Sequence, residues 1–200
     1  PNRSPGAAAP DDSGIWPDLR AGDPEAFRAL FHRHSDAVYN FAFRRTGSWA
    51  VADEVVQATF TALWRRVSEH RVDELRIPSA RPVLFAMARD ECSNQLRGAR
   101  RRARLVERIE SQPVGTADNT ADWVAAEATM TEIRKALRRL PRSQREVIEL
   151  VIWAELSLAE AAEVLGVPVG TVKSRLKRAR DRLLTTPLAG LLHGPRGSGR

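Results

Sequence analysis

Along the chain, apolar side chains recur every three or four positions, and no stretch alternates with a period of two. The first stripe is Phe27, Leu30, Phe31, His34, Val38 and Phe41. It starts after Asp23-Pro24, a side-chain cap followed by a residue suited to the first helical turn, and stops at Gly47. A second stripe, Val56, Phe60, Leu63 and Val67, has Val55 and Thr59 beside it. Asp53, Glu54, Gln57 and Thr61 lie off it and are predicted to face outward. A polar connection, "SEHRVDELRIPSA", leads to a third helix with Pro82 in its first turn and Val83, Leu84 and Met87 turned inward. "ESQPVGTADNTADW" is poor in large apolar groups and predicts a linker over 109–124. Helical spacing resumes at Val124, runs through Ile133 and Leu137, and is interrupted by Pro141, which opens the next helix. The pattern predicts an all-α fold. Two small helical domains, 18–108 and 125–186, are joined by a flexible linker. Residues 1–17 and 187–200, rich in Pro, Gly and Ala, are expected to be loose tails.

"SLAEAAEVLGVPVGTVKSRLKRARDRL" has the form of a helix-turn-helix. Ser157 and Glu160 have capping-box spacing, and Gly166 stands where a left-handed residue ends the first helix. Leu158, Ala161, Ala162 and Leu165 make its buried face. On the second helix, Val172, Leu176, Ala179 and Leu183 share one sector. Gly170, Thr171, Ser174, Lys177 and Arg178 oppose them, flanked by Lys173 and Arg175. A merely solvated face mixes acids with bases, but after Glu163 the only acid here is Asp181. Small polar groups followed by cations suit entry into the DNA major groove. The first turns then meet base edges and the later cations meet phosphates.

Composition narrows the function. The net charge of +7 favours polyanionic partners. No run of about 18 apolar residues occurs, so no membrane insertion is expected. The first residues lack the apolar core of a signal peptide, and the expected compartment is the cytoplasm. A single cysteine, Cys92, excludes an internal disulfide or a thiolate zinc site. His32 and His34, two apart on a helix, face different ways and make a poor metal pair. No phosphate-binding glycine motif is present. Neither catalytic residues nor a cofactor nor a metal are expected.

"LPRSQREVIELVIWAEL" followed by the helix-turn-helix resembles region 4 of the extracytoplasmic-function (ECF) sigma factors, small members of the bacterial sigma-70 family. "GDPEAFRALFHRHSDAVYNFAFRRTGSWAVADEVVQATFTALWRRV" resembles region 2 of the same family through Asp23, Phe27, Asp53, Glu54, Val56, Gln57, Thr59, Phe60 and Trp64. The two regions stand in the family's order and together span roughly 18–186.

The resemblance implies a sigma factor that directs core RNA polymerase to promoter DNA and is held in check by an anti-sigma protein. Asp53, Glu54, Gln57, Phe60 and Trp64 would then bind the polymerase largest subunit. Thr171, Lys173, Ser174, Arg175, Lys177 and Arg178 would read the −35 element and its backbone. The third helix and the loop from Ser68 to Ser79 would open the −10 element, with Arg89, Arg97, Arg100 and Arg101 on phosphates. Three departures stand out. Ala58 replaces a usual acid, Asp90 a common Asn, and Ala80, Arg81 and Val83 stand where aromatics are frequent. A competing reading is a stand-alone helix-turn-helix regulator that binds operators without polymerase. It leaves the Asp53–Trp64 face without a purpose.

Overall fold

The computed structural model describes residues 11–106 and 121–184, with side chains described for 11–103 and 124–184. Every regular element among them is helical. The first domain holds α1 (Trp16–Ala21), α2 (Pro24–Thr46), α3 (Trp49–Ser68) and α4 (Arg81–Val106). The second holds α5 (Ala121–Leu137), α6 (Arg142–Ile148), a π-helical turn (Glu149–Trp153), α7 (Leu158–Leu165) and α8 (Val169–Leu184). The all-α, two-domain expectation agrees with this architecture.

α2, α3 and α4 form a three-helix core. Each helix start has its own local cause. Asp23 accepts from the Glu25 N–H ahead of α2, and Ser48 accepts from the Val51 N–H ahead of α3. Leu30, Val38 and Phe41 of α2 are fully buried with Val55 and Leu63 of α3 and Leu84, Phe85 and Ala88 of α4. Aromatic edges knit the helices: Phe41 meets Phe85 with centroids 5.3 Å apart, and Phe60 meets Phe27 and Phe31 at 6.2 and 4.8 Å. Cys92 lies in this core, and burial pushes its thiol up to about 12. Native protein at pH 8 should therefore resist iodoacetamide. Labelling at the unfolding rate is the expected result; rapid stoichiometric labelling of folded chain would contradict this burial.

The ordered domain begins earlier than the expected boundary at 18. Asp12 is fully buried, and Trp16 is 3% exposed. The Asp12 carboxylate accepts from the Ala80 N–H at 2.7 Å and from Arg33 at 2.8 Å, and it lies 3.0 Å from His34 Nε2. Trp16 donates its indole N–H to the Asp73 carbonyl and Arg20 donates to that of Val72, both at 2.9 Å. The composition of 1–17 hid these anchors, because two or three residues do the tethering. At the expected linker, residues 121–124 already belong to α5, whose alanines and Glu127 favour helix. Residues 1–10, 109–120 and 187–200 lie outside the described residues.

In the second domain the capping box is formed as its spacing predicts: Glu160 N–H donates to Ser157 Oγ, and Ser157 N–H donates to Glu160. Gly166 takes φ 62°, a left-handed conformation that favours glycine. α6 does not end as an ordinary helix. It widens into the π-helical turn and stops at Glu155, which also has positive φ, 53°. That turn leaves the carbonyls of Trp153, Ala154 and Glu155 facing the first domain.

Candidate nucleic-acid and polymerase interface

Three groups of residues singled out by sequence lie on α8, α3 and α4. On α8, Val172, Leu176, Ala179 and Leu183 are buried, which turns the opposite side outward. Lys173, Lys177 and Arg178 are exposed, while Thr171, Ser174 and Arg175 are half-buried. Ser174 Oγ donates to the Thr171 carbonyl at 3.0 Å, the usual resort of a mid-helix serine, and accepts from Arg178 at 3.3 Å. Its hydroxyl must therefore rotate to reach a base edge. Val169 is 46% exposed, and no atom lies within 4 Å of where a Gly170 side chain would begin. The first turn of α8 thus offers a bare approach. Arg180 is also exposed.

On α3, Asp53, Glu54 and Gln57 are exposed, and neither acid has an ion-pair partner among the described residues. Phe60 is 3% exposed, so it supports this face from beneath and does not present itself to a partner. Trp64 is half-buried and packs on Phe27 with centroids 5.0 Å apart. With Pro24, Phe27, Arg28 and Phe31 it lines a concavity of about 470 Å³. The α3 face is therefore an acidic and amide surface ending in an apolar hollow.

The third group divides. Arg97, Arg100 and Arg101 on the outer half of α4 are exposed, whereas Arg89 is half-buried and donates to the Val164 carbonyl of α7 at 3.4 Å. The loop between α3 and α4 is held by Trp16, Arg20 and Asp12 at its two ends. The structure adds residues that the sequence pattern did not mark. Arg44 donates to the Trp153 carbonyl at 2.6 Å, and Arg81 donates to those of Ala154 and Glu155 at 2.5 and 3.1 Å. Arg45 lies 3.0 Å from Glu149 without a hydrogen bond, so that contact is electrostatic only. Burial raises the Glu149 carboxyl pKa, and the arginines around it offset this only in part. The signal for these residues was the Arg44-Arg45 doublet at a helix C-terminus, but nothing local named its partner.

Among the described residues no group of three or more His, Cys, Asp or Glu side chains could hold a metal ion. No described helix is long and apolar enough to cross a membrane.

The described surfaces fall within matches to known proteins. Residues 30–102 match the family model "Sigma-70 region 2" and residues 130–183 match "Sigma-70, region 4". The chain is 34% identical over 170 residues to the ECF RNA polymerase sigma factor SigL of Mycobacterium tuberculosis, covering 83% of this chain and 91% of that one. It is 31% identical over 163 residues to SigM of the same organism, covering 82% and 78%. Among solved structures it is similar to CnrH in complex with the cytosolic domain of CnrY, with TM-score 0.61 and 26% identity over 92% of this chain and 97% of that one. It is also similar to RpoE in complex with the anti-sigma factor NepR from Bartonella quintana, with TM-score 0.54 and 26% identity over 79% and 94%.

Proposed function

The chain belongs to the ECF sigma factors of the sigma-70 family, and from that premise we propose how its surfaces divide the work. It directs core RNA polymerase to promoter DNA. The α3 face of Asp53, Glu54 and Gln57, with Trp64 at the edge of its hollow, binds the polymerase. Phe60 keeps that face in shape. α8 enters the major groove of the −35 element, with Lys173, Ser174 and Lys177 toward bases and Thr171, Arg175 and Arg178 toward the backbone. The outer α4 cations Arg97, Arg100 and Arg101 meet phosphates near the −10 element, and Arg89 joins them when it is free. Residues 18–108 and 125–186 act as the two working bodies. The chain contributes no catalytic residue; the chemistry is the polymerase's. It works in the cytoplasm.

The observation that carries this reading is the pairing of two outward faces on one chain. One is acidic and uncompensated; the other is basic with a bare first turn. A stand-alone regulator would use the second and leave the first idle. Control by an anti-sigma protein draws support from RpoE, a similar chain solved with one.

Transcripts started by sigma-free core polymerase plus this chain, mapped on genomic DNA, should begin at defined sites sharing two spaced boxes. Starts that do not change when the chain is added would overturn the reading. Lys173→Ala should cost about 1–3 kcal/mol at one −35 position and leave other positions unchanged. A uniform loss on every sequence would assign Lys173 to phosphate instead.

A further inference from the structure

The loop between α3 and α4, residues 69–80, does not hold its own shape. His70, with φ 54°, turns the chain off α3. Among the described residues, no backbone–backbone hydrogen bond then joins residues 72–76 to one another or to either helix. A segment of that kind samples many shapes unless something outside it fixes one. The first residues of the domain do so. Trp16 and Arg20, four apart and so on one face of α1, donate to the consecutive carbonyls of Asp73 and Val72. Arg20 also lies 3.3 Å from Glu74. The Asp12 N–H donates to the Pro78 carbonyl at 3.2 Å, and the Asp12 carboxylate accepts from the Ala80 N–H. The loop is thus gripped near its start by α1 and at its end by Asp12. The grip is itself anchored, since Leu19 is fully buried and Arg33 and His34 of α2 hold Asp12. All of these contacts lie within the first domain. At the domain seam, Ser79 donates to Glu160 of α7 at 2.8 Å.

The grip is one-sided. It takes the carbonyls of Val72, Asp73 and Pro78, whereas the N–H groups of residues 72–77 have no acceptor among the described residues. The loop therefore carries a run of backbone donors whose geometry is settled beforehand, with exposed Arg71 and Arg76 beside them. Donors of this kind suit an acceptor-rich ligand, and on nucleic acid the acceptors are base edges and phosphate oxygens. The two differ in what they ask of the protein. Phosphate is met by long, mobile cations and needs no fixed backbone. A base edge is told from its competitors only by donors held in place, and ordering them in advance removes that cost from binding.

We propose that α1 and Asp12 form a splint for this loop, and that Trp16 and Arg20 are positioning residues for base selection at the −10 element. Neither touches DNA; both act through the loop backbone. The splint explains why a six-residue helix too short to build a core of its own is kept against α2 and α3. This rests on the loop's being part of the surface that handles the −10 element.

Two substitutions test it. Trp16→Phe keeps a ring in the core and deletes the indole N–H; Arg20→Met keeps the stem and deletes the guanidinium. Holoenzyme made from the full chain and core polymerase is run on a promoter mapped as above, and on copies with each −10 base pair replaced in turn. The readout is the ratio of initiation rates between the original and each copy. Charge lost at Arg20 acts on every copy alike and cancels in that ratio. The double variant should lose discrimination by about fivefold or more at one −10 position, the low end of what a base contact is worth. Core affinity and −35 preference should stay within about twofold of wild type. On the free chain, trypsin cuts at exposed Arg71 and Arg76, read by mass, should come about tenfold faster in the variant, because the loop is released. Unchanged cutting would show that these bonds do not hold the loop, and would overturn the splint. Faster cutting with unchanged discrimination would overturn its part in base selection. A uniform fall on every copy would assign the loop to phosphate and overturn it likewise. If wild type discriminates at no −10 position, the promoter reading itself fails, and the splint's role with it. Should Trp16→Phe not fold, Arg20→Met alone carries the same test, at a side chain 38% exposed.

Discussion

Replacing Asp12 with alanine should lower the stability of the first domain by about 3 kcal/mol, measured by urea unfolding. The carboxylate is fully buried between α2 and the start of α4, where it serves His34, Arg33 and the Ala80 N–H. Its removal leaves a buried backbone donor and a buried imidazole without their acceptor, and each such loss costs about 1–3 kcal/mol. Desolvation pushes the Asp12 carboxyl up, but the hydrogen bonds from His34 and Ala80, the charge of His34 and the Arg33 contact together outweigh it and hold the group below the usual carboxylate range. The sign follows from that direction. A carboxyl whose folded pKa is depressed contributes stability above its unfolded value and loses it as pH falls through the folded value. Wild type should therefore lose stability between about pH 4 and the more acidic folded value, and the alanine variant should lose less over that window. Equal acid sensitivity in the two proteins would show that Asp12 is not the group concerned. Because the same carboxylate fixes the first turn of α4, the variant should also open the −10 element less efficiently.

Asp53→Arg/Glu54→Arg should weaken binding to core polymerase about 100-fold, near 2.7 kcal/mol, while −35 preference is unchanged. Both acids are exposed and have no ion-pair partner within the described residues, so reversal costs the fold little. On a basic partner surface, however, it turns attraction into like-charge contact, worth several kcal/mol. The loss should shrink in high salt, since exposed charges are screened within about 8–10 Å. A binding titration with labelled chain at two salt concentrations separates the cases. A salt-independent loss would point to damage at Phe60 and Trp64 beneath the face. An unchanged affinity would move the polymerase contact off α3.

Helical periodicity made the architecture legible because each helix buries one stripe, and stripes are local in sequence. The capping box at Ser157 and the left-handed Gly166 were legible for the same reason, since three or four residues decide them. Surface residues followed from the same wheel: what is not inward on α3 and α8 is outward. Local pattern is silent where one residue meets another far along the chain. Phe60 keeps a family pattern yet is buried, since Phe27 and Phe31 close over it. α1 was hidden because "WPDLRA" is too short to show a period, and its hold on the loop runs through single contacts to Val72 and Asp73. The domain seam left no trace in local pattern. Ser79 and Glu160 are 81 residues apart, and Arg44 and Trp153 are 109 apart. The π-helical turn was equally opaque, because no side chain encodes the extra residue; the carbonyl directions it sets are visible only once the first domain is in place.

Only Lys135, Lys173 and Lys177 are lysines among the 32 Lys and Arg residues. The guanidinium of Arg81 gives a reason to keep the two types apart. One planar group reaches two consecutive carbonyls and stands beside a carboxylate, a reach that a single ammonium on a flexible stem does not match. Two of the three lysines instead sit on the outward side of α8, where a mobile point charge can follow an uneven surface. Arginine is the joinery of this chain and lysine its fingertips, so an Arg81→Lys exchange that leaves the net charge untouched still changes the carpentry.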